Sequence, residues 1–212
     1  MLEKYEKRFE LYIRSEMVQD PAHDIDHVRR VVKTAKELCD KEGAKLEVVL
    51  PAAYLHDCFT FPKNHPKRAS SSIVAAEKAE AFLISIDYPK DHLAEIKHAI
   101  VAHSFSLGVK PDTIEAQIVQ DADRLDALGA IGISRCIQVS AGFGSSLYHS
   151  EDPYAESRAL DDKAYALDHF QVKLFKIAEQ MNTASARQEA EKRVRFMELY
   201  MDQLGSEIHL KR

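Results

Sequence analysis

The sequence predicts an all-α fold built as a single domain. Three observations carry this. Apolar residues recur at spacings of three and four along nearly the whole chain. Strict alternation, the mark of a half-buried strand, is scarce. The length of 212 residues and a hydrophobic content of 45% suffice to bury one substantial core.

The periodicity predicts helices near 2–18, 24–41, 46–58, 69–85, 90–104, 112–127, 128–140, 163–180 and 184–204. Asp20-Pro21 suits the end of the first helix and a turn into the second. Gly43 fits a C-terminal cap. Pro51 either kinks the third helix or marks its true first turn. Pro111, followed by Asp112 and Thr113, marks another helix start. Two stretches break the pattern. One is TFPKNHPKRASSS, residues 60–72, rich in proline, basic and polar residues. The other runs from Ser140 to Asp162, long enough to serve as a lid or to be a plain surface excursion.

The net charge of −5 argues against a general nucleic-acid binder and against adhesion to anionic lipid. A small anionic substrate is compatible with it, because a site can be locally positive. Cys39, Cys58 and Cys136 are odd in number and lack CxxC spacing, as suits reduced thiols in a cytoplasmic protein. The opening MLEKYEKRFELYIRSE is charged throughout and does not read as a signal peptide. No segment approaches the roughly 18 apolar residues of a membrane span.

Several chemistry-bearing residues fall on apolar helical stripes at about 100° per residue. His27 sits at the edge of the sector formed by Val28, Val31, Val32, Ala35 and Leu38. His56 aligns with Val49, Ala52 and Ala53, and Asp57 follows it. Asp121 aligns with Ile114, Ile118, Leu125 and Leu128. A carboxylate on such a stripe is costly unless paired or bound to a cation. Alone, each has a plainer explanation: a core histidine, a cap, or a buried ion pair with Arg124 or Arg135. Together, two imidazoles and two carboxylates suit one divalent transition metal. Manganese is preferred; nickel, cobalt, iron, zinc and magnesium are open alternatives.

The order H…HD…D on helices resembles the HD-domain metal-dependent phosphohydrolase superfamily. The phrases HDIDHVRRV, AAYLHD, PKNHPKRASSS, AHSFS, IVQDADRLDALGAIGISR, EDPY and LDDKAYALDHFQVKL extend the likeness to its bacterial YedJ-like branch, over roughly residues 20–185. The resemblance implies an HD-type helical fold, with His27, His56, Asp57 and Asp121 as metal ligands. It implies hydrolysis of a phosphate ester or anhydride. The expected reaction takes a nucleoside or deoxynucleoside triphosphate to monophosphate and pyrophosphate. A nucleotide phosphomonoesterase and a non-catalytic sensing module are the alternatives.

The turn after the His-Asp pair offers Lys63, His65, Lys67 and Arg68 to phosphate oxygens. Lys63 and His65 are favoured there for catalysis and binding, with Lys67 beside them. A solvated turn would show the same composition. His103 ends IKHAIVAHS at an inward position, where it could donate to phosphate or leaving group, hold a second metal, or cap the helix. Arg124 could pair with a carboxylate or touch substrate. Asp126 suits an ion pair better than proton transfer. GAIG and GFG lack the Lys-Ser/Thr ending of a phosphate loop. The expected partner is a small nucleotide, with neither nucleic-acid polymer nor membrane; a homodimer is compatible with the sequence.

Overall fold

The computed structural model describes residues 2–17, 24–62, 65–104 and 106–208. Among them the architecture is all-α, the expected class; its β structure is one isolated bridge, Ser146 to Tyr165. None of its helices is long and apolar enough to cross a membrane. The chain forms two compact units, 1–123 and 124–212. The division falls inside a continuous helix, not in a linker.

The first unit contains α1 (Glu3–Glu16), α2 (Ile25–Glu42), α3 (Leu46–Leu55), α4 (Ser71–Ser85), α5 (Leu93–His103) and most of α6 (Ile114–Leu125). Its centre is α3. Every residue from Val48 to Leu55 is buried, so beyond its first two residues this helix has no solvent face. It packs against α1, α2 and α5, and α5 packs on α4. Tyr5, Phe9 and Ile13 give α1 its buried stripe, at spacings of four.

The caps follow local chemistry. Asp24 takes extended backbone before α2, and its carboxylate accepts the His27 amide at 2.7 Å. Gly43 closes the same helix at φ +67°, the left-handed conformation expected there. Thr113 Oγ1 accepts the Ala116 amide at 3.2 Å and starts α6.

Pro51 lies in the interior of α3, the kink-site alternative rather than the first turn. With no N–H, it cannot bond to the Glu47 carbonyl one turn earlier. The Tyr88 hydroxyl donates to that carbonyl instead, at 2.6 Å. A side chain from beyond α4 thus replaces the missing backbone donor in the central helix.

The second unit contains α7 (Gly129–Gly142), α8 (Ala166–His169), a π-helical turn (Phe170–Leu174), α9 (Phe175–Glu179) and α10 (Ala184–Glu207). α10 packs against α7 and α9. The segment between α7 and α8 is closely hydrogen-bonded. Asp152 accepts the Glu156 and Ser157 amides, each at 2.9 Å. Arg158 forms a two-pronged pair with the buried Asp168 at 2.6 and 2.7 Å. Tyr154 donates its hydroxyl to the Met201 carbonyl at 2.6 Å. A Cβ at Gly205 would meet that hydroxyl at 2.5 Å, so glycine lets the loop sit down on α10.

Candidate metal centre

Four elements of the first unit bring imidazoles and carboxylates together. The Asp24 cap holds the first turn of α2, and with it the buried His27. His56 and Asp57 follow directly on α3. His103 is the last residue of α5. Beside it, Gln120 donates to the Ala102 carbonyl at 2.7 Å and ties the end of α5 to α6.

The two central imidazoles present one edge inward. His56 Nδ1 lies 2.8 Å from the Ala53 carbonyl. A carbonyl only accepts, so Nδ1 carries the hydrogen and Nε2 keeps its lone pair. His103 Nδ1 faces the Ile100 carbonyl in the same way, at 2.5 Å. In each ring, backbone one turn back along the helix orients the nitrogen turned to the site, as outer-shell acceptors do for metal-bound histidines.

The inward nitrogens meet two carboxylates. His27 Nε2 is 3.5 Å from Asp123 Oδ1 and 4.0 Å from Asp57 Oδ2. His56 Nε2 is 3.6 Å from Asp57 Oδ2 and 4.0 Å from Asp123 Oδ1. Donors each about 2.1 Å from one ion stand roughly 3.0–4.2 Å apart. All four separations fall in that window. His27, His56 and Asp57 form a group whose ligand atoms lie within 4.8 Å of one another. His56 Nε2 is buried with no hydrogen-bond partner among the described residues. A buried acceptor left that way is costly unless something else fills it. The donor set and this nitrogen fit a divalent transition metal.

Protonation is arranged to match. Burial pushes the His56 imidazole down, which favours the neutral form that a cation needs. Burial would raise Asp57, but His56, His103 and His27 outweigh it and hold the carboxyl well below the usual range. Burial would lower His103, but its approach to Asp57, Nε2 to Oδ1 3.7 Å, outweighs that and raises it.

His27, His56 and Asp57 therefore converge as the sequence suggested. The α6 carboxylate found beside both imidazoles is Asp123, two residues on from the expected Asp121. Side chains two residues apart on a helix leave it about 200° apart, so a turn that aims Asp123 at the imidazoles aims Asp121 the other way. Asp121 is fully buried, whereas the Asp123 side chain is 29% exposed. The apolar stripe marks the most buried carboxylate; distance to the imidazoles is what singles out Asp123. A signal was present in DADRLD, which offers two acids on different sides of one helix and a third just past its end.

A cleft of about 120 Å³ opens at Asp57 and His103. Its walls include Thr60, Arg68, Ser72 and Ser104. Of the basic turn, Arg68 lines this cleft, while His65 and Lys67 are absent from its described lining. His65 stacks on Phe61, with ring centroids 4.3 Å apart, and its Nδ1 accepts the Lys67 amide at 3.1 Å. Both interactions shape the turn. Lys67 is exposed. Lys63 lies outside the described residues. Arg124 donates to the Gln180 carbonyl at 2.8 Å, and Asp126 pairs with Arg135 at 2.7 Å, the ion-pair role foreseen for it.

A family model of the HD domain matches residues 24–128, the stretch that carries all these site residues. The chain is also 35% identical to the uncharacterized protein YpgQ of Bacillus subtilis over 194 residues, 90% of this chain and 86% of that one. The chain belongs to the HD-domain family. Solved members share its architecture. The crystal structure of Bacillus subtilis YpgQ in complex with ADP aligns with a TM-score of 0.75 and 32% identity, covering 97% of this chain and 96% of that one. An HD-superfamily hydrolase from Bacillus thuringiensis aligns with a TM-score of 0.77 and 30% identity over the whole of both chains.

Proposed function

We propose that this HD protein is a metal-dependent phosphohydrolase that cleaves nucleoside or deoxynucleoside triphosphates to monophosphate and pyrophosphate. The observation that carries the hydrolase reading is the convergence of His27, His56, Asp57 and Asp123 at metal-ligand spacing. A divalent ion, manganese by preference, would there polarise a phosphoryl oxygen and acidify a water molecule. His103 lines the cleft beside Asp57, placed to donate a proton to a phosphoryl or leaving-group oxygen. The buried imidazoles keep water from the protein side of the site. The ADP complex of the related YpgQ supports a nucleotide as the ligand.

The test is a screen of the manganese-supplied protein against the nucleoside triphosphates, with products resolved. Monophosphate plus pyrophosphate supports the reading. Stepwise release of orthophosphate supports a phosphomonoesterase instead. No turnover with any metal, while nucleotide still binds, supports a sensing module.

A further inference from the structure

The cleft beside the metal corner is built for oxygen-rich anions. Among its described lining residues, Arg68 is the sole permanent cation. Its Nη1 donates to the Phe61 carbonyl at 2.7 Å, which fixes the guanidinium over the turn and leaves further N–H groups of the fork for a ligand. Arg68 begins a short 3-10 turn, Arg68–Ser70, that runs straight into the fifteen-residue α4. The positive end of that helix therefore lies where Arg68 stands.

A second observation is independent of the helix end. Ser72 lines the same cleft, is 3% exposed, and its Oγ has no hydrogen-bond partner among the described residues. The neighbouring Ser71 hydroxyl is already committed, accepting the Phe61 amide at 3.1 Å and donating to the Arg68 carbonyl at 2.7 Å. Ser71 thus clamps the turn, and Ser72 is the hydroxyl left to a ligand. The cleft runs from Asp57 at the metal corner to Arg68 and Ser72 on its wall.

We propose that Arg68 and Ser72 form a subsite for a second phosphate, so that the substrate carries at least two linked phosphates, one at the metal corner and the next on the Arg68 wall. This rests on the phosphohydrolase reading above. It replaces Lys67 and His65 with Arg68 as the phosphate-binding member of the basic turn.

The experiment is calorimetric titration of the manganese-loaded full chain with inorganic phosphate and with inorganic pyrophosphate. Wild type should bind pyrophosphate more tightly than phosphate. Arg68→Gln keeps a donor for the Phe61 carbonyl but removes the charge. It should weaken pyrophosphate by about tenfold or more, leave phosphate nearly unchanged, and retain manganese. Arg68→Lys should recover part of the loss, and Ser72→Ala should shift pyrophosphate in the same direction by less. Unchanged pyrophosphate affinity in Arg68→Gln and Ser72→Ala overturns the subsite and leaves the phosphohydrolase reading standing. An equal loss for both probes also overturns it, because a second-phosphate contact cannot weaken a lone phosphate at the metal. If wild type holds manganese but binds neither probe, the phosphohydrolase reading itself falls. Should Arg68→Gln lose its helical signal, Ser72→Ala decides alone, and unchanged pyrophosphate affinity there overturns the subsite.

Discussion

Asp123 Oδ1 stands 3.5 Å from His27 Nε2. This pair sets Asp123 apart from Asp121, the aspartate on the apolar stripe. Asp123→Ala should lose most bound metal and all detectable turnover while keeping wild-type helical content. Asp121→Ala should keep the metal ligands but lower stability by about 1–3 kcal/mol, since it empties a fully buried polar position. Metal analysis and denaturant melts on the two variants check this. Full metal content in Asp123→Ala would return the fourth position to Asp121.

His103 touches Asp57 without standing among the four converging donors. His103→Gln should therefore retain metal while turnover falls by about a hundredfold or more, the usual worth of a positioned proton donor. Loss of metal in step with activity would instead make His103 a ligand.

The Tyr88 hydroxyl satisfies the carbonyl that Pro51 leaves orphaned. Tyr88→Phe should destabilise the fold by about 0.5–1.5 kcal/mol, the net worth of one hydrogen bond. Pro51→Ala restores a backbone N–H to the same carbonyl. In the double variant, Tyr88→Phe should cost much less. Urea midpoints for the four proteins of this cycle give the coupling, and additive effects would show that the two donors do not share the Glu47 carbonyl.

Burial would raise the Asp168 carboxyl, but Arg158 and the Asp161 amide outweigh it and hold it below its ordinary value. A lowered folded pKa means that the pair's stabilisation is complete above the unfolded carboxylate pKa, about 4. It is lost as pH falls through the lower folded value. Amide protection between Ser145 and Tyr165 should thus be steady at neutral pH and fall in acid. Asp168→Asn should show reduced protection at neutral pH and a flatter acid profile. Hydrogen exchange read against pH checks this; an equally steep profile in Asp168→Asn would assign the acid loss to other groups.

Much of the architecture was legible because it is local. Spacing at three and four specified the helices to within a few residues, and Gly43 and Thr113 stood where caps belong. The AAYLHD run already joined His56 and Asp57 to an apolar helix, and the wheel of the second helix put His27 at the edge of its buried sector. The role of Pro51 was not legible, because its missing hydrogen bond is met by Tyr88, a residue 41 positions from the accepting Glu47.

By itself, then, the sequence determined the all-α class, the helix starts and stops, and the inward placement of His27 and His56. These follow from periodicity and capping, which act within one or two turns of chain. Only the tertiary structure showed that Asp123 approaches the imidazoles and that Arg68 lines the cleft beside Asp57. A helical wheel reports how deeply a side chain is buried, not which neighbour it is buried against. That second quantity depends on the rotation of α6 relative to α2 and α3, and on how Arg68 comes to line the same cleft as Asp57. Both are set by packing between segments far apart in the chain.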